Sequence, residues 1–188
     1  MGEEMKNKLI KHIPNTLTLM NLLCGLSAIL VLVQSENPHK LLVAPALIML
    51  GAFSDFFDGF LARKLNVVTE IGKQLDSFSD MITFGIAPIL LINYTSLCES
   101  ALFIISSSSI FIMAGAYRLA RYNLCDFSEH FIGFPITAAG LSLTIYCLLY
   151  PFWCSSLHPH FCTAITTLFL LLLSVMMISR KKVARCIF

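Results

Sequence analysis

Four of the five aspartates in this sequence, Asp55, Asp58, Asp76 and Asp80, fall within 26 positions, in the stretch D-F-F-D-G-F-L-A-R-K-L-N-V-V-T-E-I-G-K-Q-L-D-S-F-S-D. The stretch is flanked by strongly apolar segments. A carboxylate at the centre of a bilayer costs about 2.5–3.5 kcal/mol, so four acids at the ends of such segments require a partner or a role. Asp55 and Asp58 are three apart, and Gly59 and Ala62 follow at four and seven from Asp55, so one helical face carries two acids and two gaps. Gly72, Asp76 and Asp80 repeat at spacing four and form a second stripe. Two antiparallel helices joined by a short loop would bring the stripes face to face, and four carboxylates could then hold two divalent cations. Oxygen-only ligation without histidine or thiolate suits Mg²⁺ or Mn²⁺. Arg63 adds a planar cationic fork suited to phosphate. The chemistry indicated is metal, nucleotide and phosphate together. Acids paired with Arg63, Lys64 and Lys73 at solvated helix ends are the alternative, which leaves the glycines on the acid faces unexplained.

The elements that must position these residues are membrane helices. Of 188 residues, 57% are hydrophobic and 13% charged, and mean hydropathy is +0.80, against about 25% charged in ordinary soluble proteins. Apolar runs near the ~20 residues that cross a bilayer occur at 14–34, 40–60, 74–96, 100–120, 132–153 and 160–179. The expected fold is an all-α membrane protein, with six transmembrane helices in one bundle. Positions 14–188 make one domain. Positions 1–13 make a short juxtamembrane amphipathic helix, with Met5, Leu9 and Ile13 at helical spacing and Lys6, Lys8 and Lys11 elsewhere around it. Alternating the six spans puts every Lys and Arg except Lys40 on one side. By the positive-inside rule that side is cytoplasmic, so both termini and all four motif aspartates are expected there.

Other polar residues keep two readings. Asn15, Thr18 and Asn21 at the head of the first span serve either helix-to-helix hydrogen bonds or a substrate. Ser106 to Ser109 and Ala114-Gly115-Ala116 fit close helix packing. Arg118 and Arg121, three apart at the end of the fourth span, either snorkel to lipid phosphates or hold an anion in the site. The seven cysteines are widely spaced, without a C-x-x-C pair, and read as packing residues. His158-Pro159-His160 lacks the geometry of a metal site.

The acidic stretch matches every fixed position of D-x2-D-G-x2-A-R-x8-G-x3-D-x3-D, from Asp55, Asp58, Gly59, Ala62, Arg63 and Gly72 to Asp76 and Asp80. In this it resembles the CDP-alcohol phosphatidyltransferases. The segments R-L-A-R-Y-N at 118–123 and G-F-P-I-T-A-A-G at 133–140 look like the phosphatidylserine synthase branch, a shorter and less specific match.

The resemblance implies an enzyme of phospholipid biosynthesis. It would transfer the phosphatidyl group of CDP-diacylglycerol to the hydroxyl of L-serine, giving phosphatidylserine and CMP. Asp55, Asp58 and Asp76 would ligate two divalent cations, Mg²⁺ or Mn²⁺, with Asp80 completing the site as general base. Gly59, Ala62, Arg63, Thr69 and Gly72 would contact the CDP-lipid, joined by Asn15 and Thr18, while Arg118 or Arg121 would hold the acceptor or a phosphate. A homodimer in a prokaryotic cytoplasmic membrane is implied, with membrane lipids around it and no nucleic acid. Glycerol 3-phosphate, an inositol or an inositol phosphate as acceptor is the nearer alternative. A divalent-cation transporter is the farther one, disfavoured because the acidic motif has no second copy of the kind that inverted repeats would give.

Overall fold

The computed structural model describes residues 2–34, 39–65, 69–95, 101–124, 133–154 and 158–179, the side chains of 2–13, 101, 153 and 154 excepted. The described residues fold almost entirely as helix, with no strand among them. In chain order the helices are α1 (Gly2–Gln34), α2 (Lys40–Lys64), α3 (Glu70–Asp80), a π-helical segment (Met81–Ile86), α4 (Ala87–Thr95), α5 (Ala101–Leu124), α6 (Ile136–Cys154) and α7 (Pro159–Ile178). Five stretches among the described residues are long and apolar enough to cross a membrane: Pro14–Gln34, Lys40–Lys64, Glu70–Thr95, Leu102–Leu124 and Pro159–Ile178. The apolar part of α6, Ile136–Phe152, is shorter.

Local sequence accounts for several helix ends. Thr69 is the N-cap of α3, its Oγ1 accepting the Gly72 N–H at 3.0 Å and satisfying one donor that the first turn would leave unpaired. Arg63 and Lys64 lie in the last turn of α2, where cations oppose the negative end of the helix dipole. Pro159 starts α7, a position where its missing N–H costs nothing. The backbone of α1 is helical from Gly2 and continues through Pro14 into the first span. The amphipathic pattern expected at 1–13 rests on side chains outside the described residues.

α3, the π segment and α4 form one rod, Glu70–Thr95, which packs against α1, α2, α5 and α6. The outer pairings are α1 on α2 and α5 on α7. Lipid tails are as apolar as leucine, so helices in a membrane associate through close packing and hydrogen bonds rather than hydrophobic transfer. The centre of the rod shows how. Thr83 is fully buried, its hydroxyl donates to Asn21 O at 3.1 Å, and its side chain fills the space over Gly25 and Gly51, where an added Cβ would collide with it. One turn earlier Ser79 donates to Thr18 O at 3.2 Å. These bonds fix the register of α1 along the acid-bearing rod.

Away from this core, Leu102, Phe103, Phe152 and Val175 are exposed, as side chains facing lipid would be. The serines of α5 behave as packing residues, with Ser106, Ser107 and Ser109 donating to the carbonyls four residues earlier. Cys24 and Cys147 are buried free thiols, in keeping with a packing role. Cys162 departs from that expectation, being disulfide-bonded.

Candidate active site

A cavity of about 540 Å³ opens where α1, α2, α3 and α5 meet the first turn of α6. The end of α2 contributes Asp55, Asp58, Gly59, Ala62 and Arg63 to its wall, and α3 contributes Gly72, Lys73, Asp76, Ser77 and Asp80. The head of α1 adds Asn15 and Thr18, and Thr69 lies on the rim before α3. Thus the two acid stripes do face each other.

Carboxylate oxygens of Asp55, Asp76 and Asp80 lie within 4.8 Å of one another. Three acids at that separation repel strongly unless a counter-charge intervenes. Asp58 stands outside this cluster. It is 5% exposed on the cavity wall, and its Oδ2 has no hydrogen-bond partner. Asp76 Oδ1 is likewise buried without one. Buried polar atoms are nearly always paired in folded proteins, so orphaned carboxylate oxygens beside a three-acid cluster fit a site for hard divalent cations. Asp80 is 8% exposed and accepts a long hydrogen bond from Asn21 Nδ2, 3.5 Å away. Asp55 accepts one from Thr137 Oγ1 at 3.4 Å.

The basic residues divide the work unequally. Arg63 Nε donates to Gly59 O at 3.0 Å, which fixes the guanidinium over open space beside Gly59. Gly72 is small for a different reason. A Cβ there would stand 3.0 Å from Thr69 Oγ1 and 3.1 Å from Asn15 Oδ1, so this glycine lets the head of α1 close on the capped start of α3. Arg118 reaches the cavity from α5, only 8% exposed, with its Nε unpartnered.

Arg121 does not line the cavity. Its Nη1 donates to Ile178 O at 3.3 Å, at the end of α7, and its guanidinium lies 5.9 Å from the Tyr117 ring centroid. Residues three apart on a helix point about 60° apart, and here the unpaired carbonyls at the end of α7 offer the second arginine an anchor. Sequence reasoning paired the two arginines, and the structure separates them. It also adds residues that reasoning missed, Ser77, Asn123 and Thr137. Asn123 Nδ2 donates to Ser77 Oγ at 2.9 Å across α5 and α3. Their signal was adjacency, since Ser77 follows Asp76 and the other two sit inside the segments 118–123 and 133–140.

Residues 11–179 match the family model described as CDP-alcohol phosphatidyltransferase. The chain belongs to that family. Among similar proteins is the CDP-diacylglycerol–serine O-phosphatidyltransferase of Bacillus subtilis, 38% identical over 75% of this chain and 78% of that protein. The protein of the same name from Methanocaldococcus jannaschii is 39% identical over 73% of this chain and 61% of its own length. That from Helicobacter pylori strain 26695 is 30% identical over 72% and 56%. The match therefore spans four-fifths of the Bacillus relative and between half and two-thirds of the other two. As a phosphatidyltransferase of this family the chain is a membrane enzyme of phospholipid synthesis, and Asp55, Asp76 and Asp80 lie close enough together that they could hold a metal ion.

Proposed function

We propose that this phosphatidyltransferase joins the phosphatidyl group of CDP-diacylglycerol to L-serine, releasing CMP. The single observation that carries the reading is the facing of two unlike walls in one cavity. Asp55 of α2 clusters with Asp76 and Asp80 of α3, and the buried guanidinium of Arg118, its Nε unpartnered, approaches from α5. The relatives named CDP-diacylglycerol–serine O-phosphatidyltransferase support serine over other acceptors.

Asp55, Asp58, Asp76 and Asp80 would hold two divalent cations, Mg²⁺ or Mn²⁺. When bound, such a pair clamps a diphosphate and stabilises charge on the leaving oxygen. Arg63, held by Gly59 O, grips phosphate oxygens of the CDP moiety, and the space over Gly59 and Ala62 admits it close to the α2 backbone. Asn15, Thr18, Thr69 and Gly72 form the opposite rim. Arg118 pairs with the carboxylate of serine. Asp80 takes the proton of the serine hydroxyl as that oxygen bonds to the phosphorus bearing the diacylglycerol. The bond from this phosphorus to the CMP oxygen breaks, and CMP leaves.

In this reading six spans form a single domain, with α6 crossing as the shortest, and the concentration of Lys and Arg at one end of the spans supports a cytoplasmic side for the cavity and both termini. A homodimer agrees with the family resemblance. The test is CMP release by purified protein in detergent with CDP-diacylglycerol and Mn²⁺ or Mg²⁺, with and without L-serine. Serine-dependent CMP is expected. Release only with glycerol 3-phosphate or an inositol would reassign the acceptor, and none with any acceptor would overturn the reading.

A further inference from the structure

Residues 133–137 link the cavity to the far end of α7. Gly133 has φ +88°, a backbone conformation that side chains rarely adopt. A Cβ there would stand 2.7 Å from Met177 O and 3.1 Å from Ser179 O, so only glycine lets the chain lie against the end of α7. The next residue continues the contact, with Phe134 N–H donating to Met176 O at 3.2 Å. Arg121 closes the junction from α5, through its bond to Ile178 O and a guanidinium that would sit 3.2 Å from that same Cβ. Ile136 is then 1% exposed and rests where an added Cβ at Gly115 would collide with it. Pro135 and Thr137 emerge on the cavity wall, and Thr137 Oγ1–H points to Asp55 Oδ2.

We infer that residues 133–137 form a brace, docked on the end of α7 by Arg121 and Gly133, that presents the Thr137 hydroxyl to Asp55 and so orients one acid of the three-carboxylate cluster for cation binding. Thr137 and Arg121 are positioning residues, the second acting through the first. Hydrogen-bonded partners of ligating carboxylates set ligand orientation, and their loss typically weakens metal binding about 10- to 100-fold. The bond here is long, which puts the expected effect at the low end. A hydroxyl donated to one carboxylate oxygen restricts rotation of the group about its Cβ–Cγ bond, a restraint that α2 alone does not impose. The brace also explains why two arginines three residues apart take different work: Arg118 faces the cavity, and Arg121 secures the segment that closes it.

The inference rests on the proposed cation site, and its test separates the two. Mn²⁺ binding to the full-length protein in detergent, without substrates, is titrated by the electron paramagnetic resonance signal of free Mn²⁺. The parent is compared with Thr137→Val, Thr137→Ser, Arg121→Gln and the Thr137→Val/Arg121→Gln pair, each checked for a monodisperse elution profile. Thr137→Val, which keeps the shape and removes the donor, is expected to weaken Mn²⁺ binding roughly 10-fold. Thr137→Ser should stay within about two-fold of the parent, because it keeps the hydroxyl. Arg121→Gln should weaken binding a few-fold, and the pair should be no worse than Thr137→Val alone, as for residues acting through one another. Parent-like Mn²⁺ binding by Thr137→Val, or additive losses in the pair, would overturn the brace and leave the cation site standing. A parent that binds no Mn²⁺ would instead overturn the cation site, and the brace with it.

Discussion

Two cavities among the described residues are similar in size and opposite in character. One, of about 540 Å³, lies among the acids of α2 and α3; the other, of about 430 Å³, lies between α5 and α7 and is lined by Phe103, His160, Thr163, Ala164, Thr167, Leu168 and Leu171. In the second no acid or cation lines the wall; Thr163 Oγ1 donates to Pro159 O at 3.0 Å, and the buried atom left without a partner is a neutral hydroxyl, Thr167 Oγ1. In the first, carboxylates converge with buried oxygens left unpaired. Volume is therefore a poor guide to function in this bundle. What marks the working cavity is charge held in place against the cost of burying it, which persists only where a ligand or a paired group compensates.

That contrast can be broken at several points. The largest effect is expected from Asp80→Asn, which removes the proposed base without changing side-chain size. Serine-dependent CMP release should fall about 10²- to 10⁴-fold, and retention of more than a tenth of the activity would remove Asp80 from the proton-transfer role. Arg118→Gln should come next, lowering kcat/KM for serine roughly 10- to 100-fold, the range of a lost charged hydrogen bond, with the KM for CDP-diacylglycerol little changed. If both substrates are affected alike, Arg118 serves phosphate instead. Thr69→Ala deletes the cap of α3 and should cost about 1 kcal/mol of stability, read as a lower thermal midpoint in detergent. An unchanged midpoint would mean that packing of the rod, not the cap, holds this end of α3. The smallest effect belongs to the second cavity. His160→Ala should leave CMP release within about two-fold of the parent, as exposed substitutions away from special features usually do, and a large loss would show that the two cavities are coupled.

Much of the site was legible because helical spacing is local. Asp55, Asp58, Gly59 and Ala62 share a face whenever 55–62 is helical, and the same holds for Gly72, Asp76 and Asp80. Hydropathy likewise marked five membrane runs that the described residues bear out, since each must be apolar over a bilayer's depth, whereas the run expected at 132–153 corresponds to the shorter apolar helix Ile136–Phe152. It was less successful at boundaries. The third run was expected at 74–96, yet its helix starts at Glu70, because polar residues beside the cavity depress its hydropathy. The π turn at Met81–Ile86, which carries the buried Thr83 that packs over Gly25 and Gly51, was not read from the sequence.

The sequence by itself determined an all-helical membrane chain, its family, and the acidic stripes on two neighbouring helices. Each follows from periodicity or composition along a single segment. Only the tertiary structure decided that Asp58 stands apart from the other three acids, that Arg118 enters the cavity while Arg121 holds the end of α7, and that Thr137 reaches Asp55 from 82 residues away. These facts depend on the rotation and depth of one helix against another. That geometry is set by small contacts, such as Thr83 over Gly25 and Gly51 or Ile136 over Gly115, which have no period along the chain and exist only once the helices are packed.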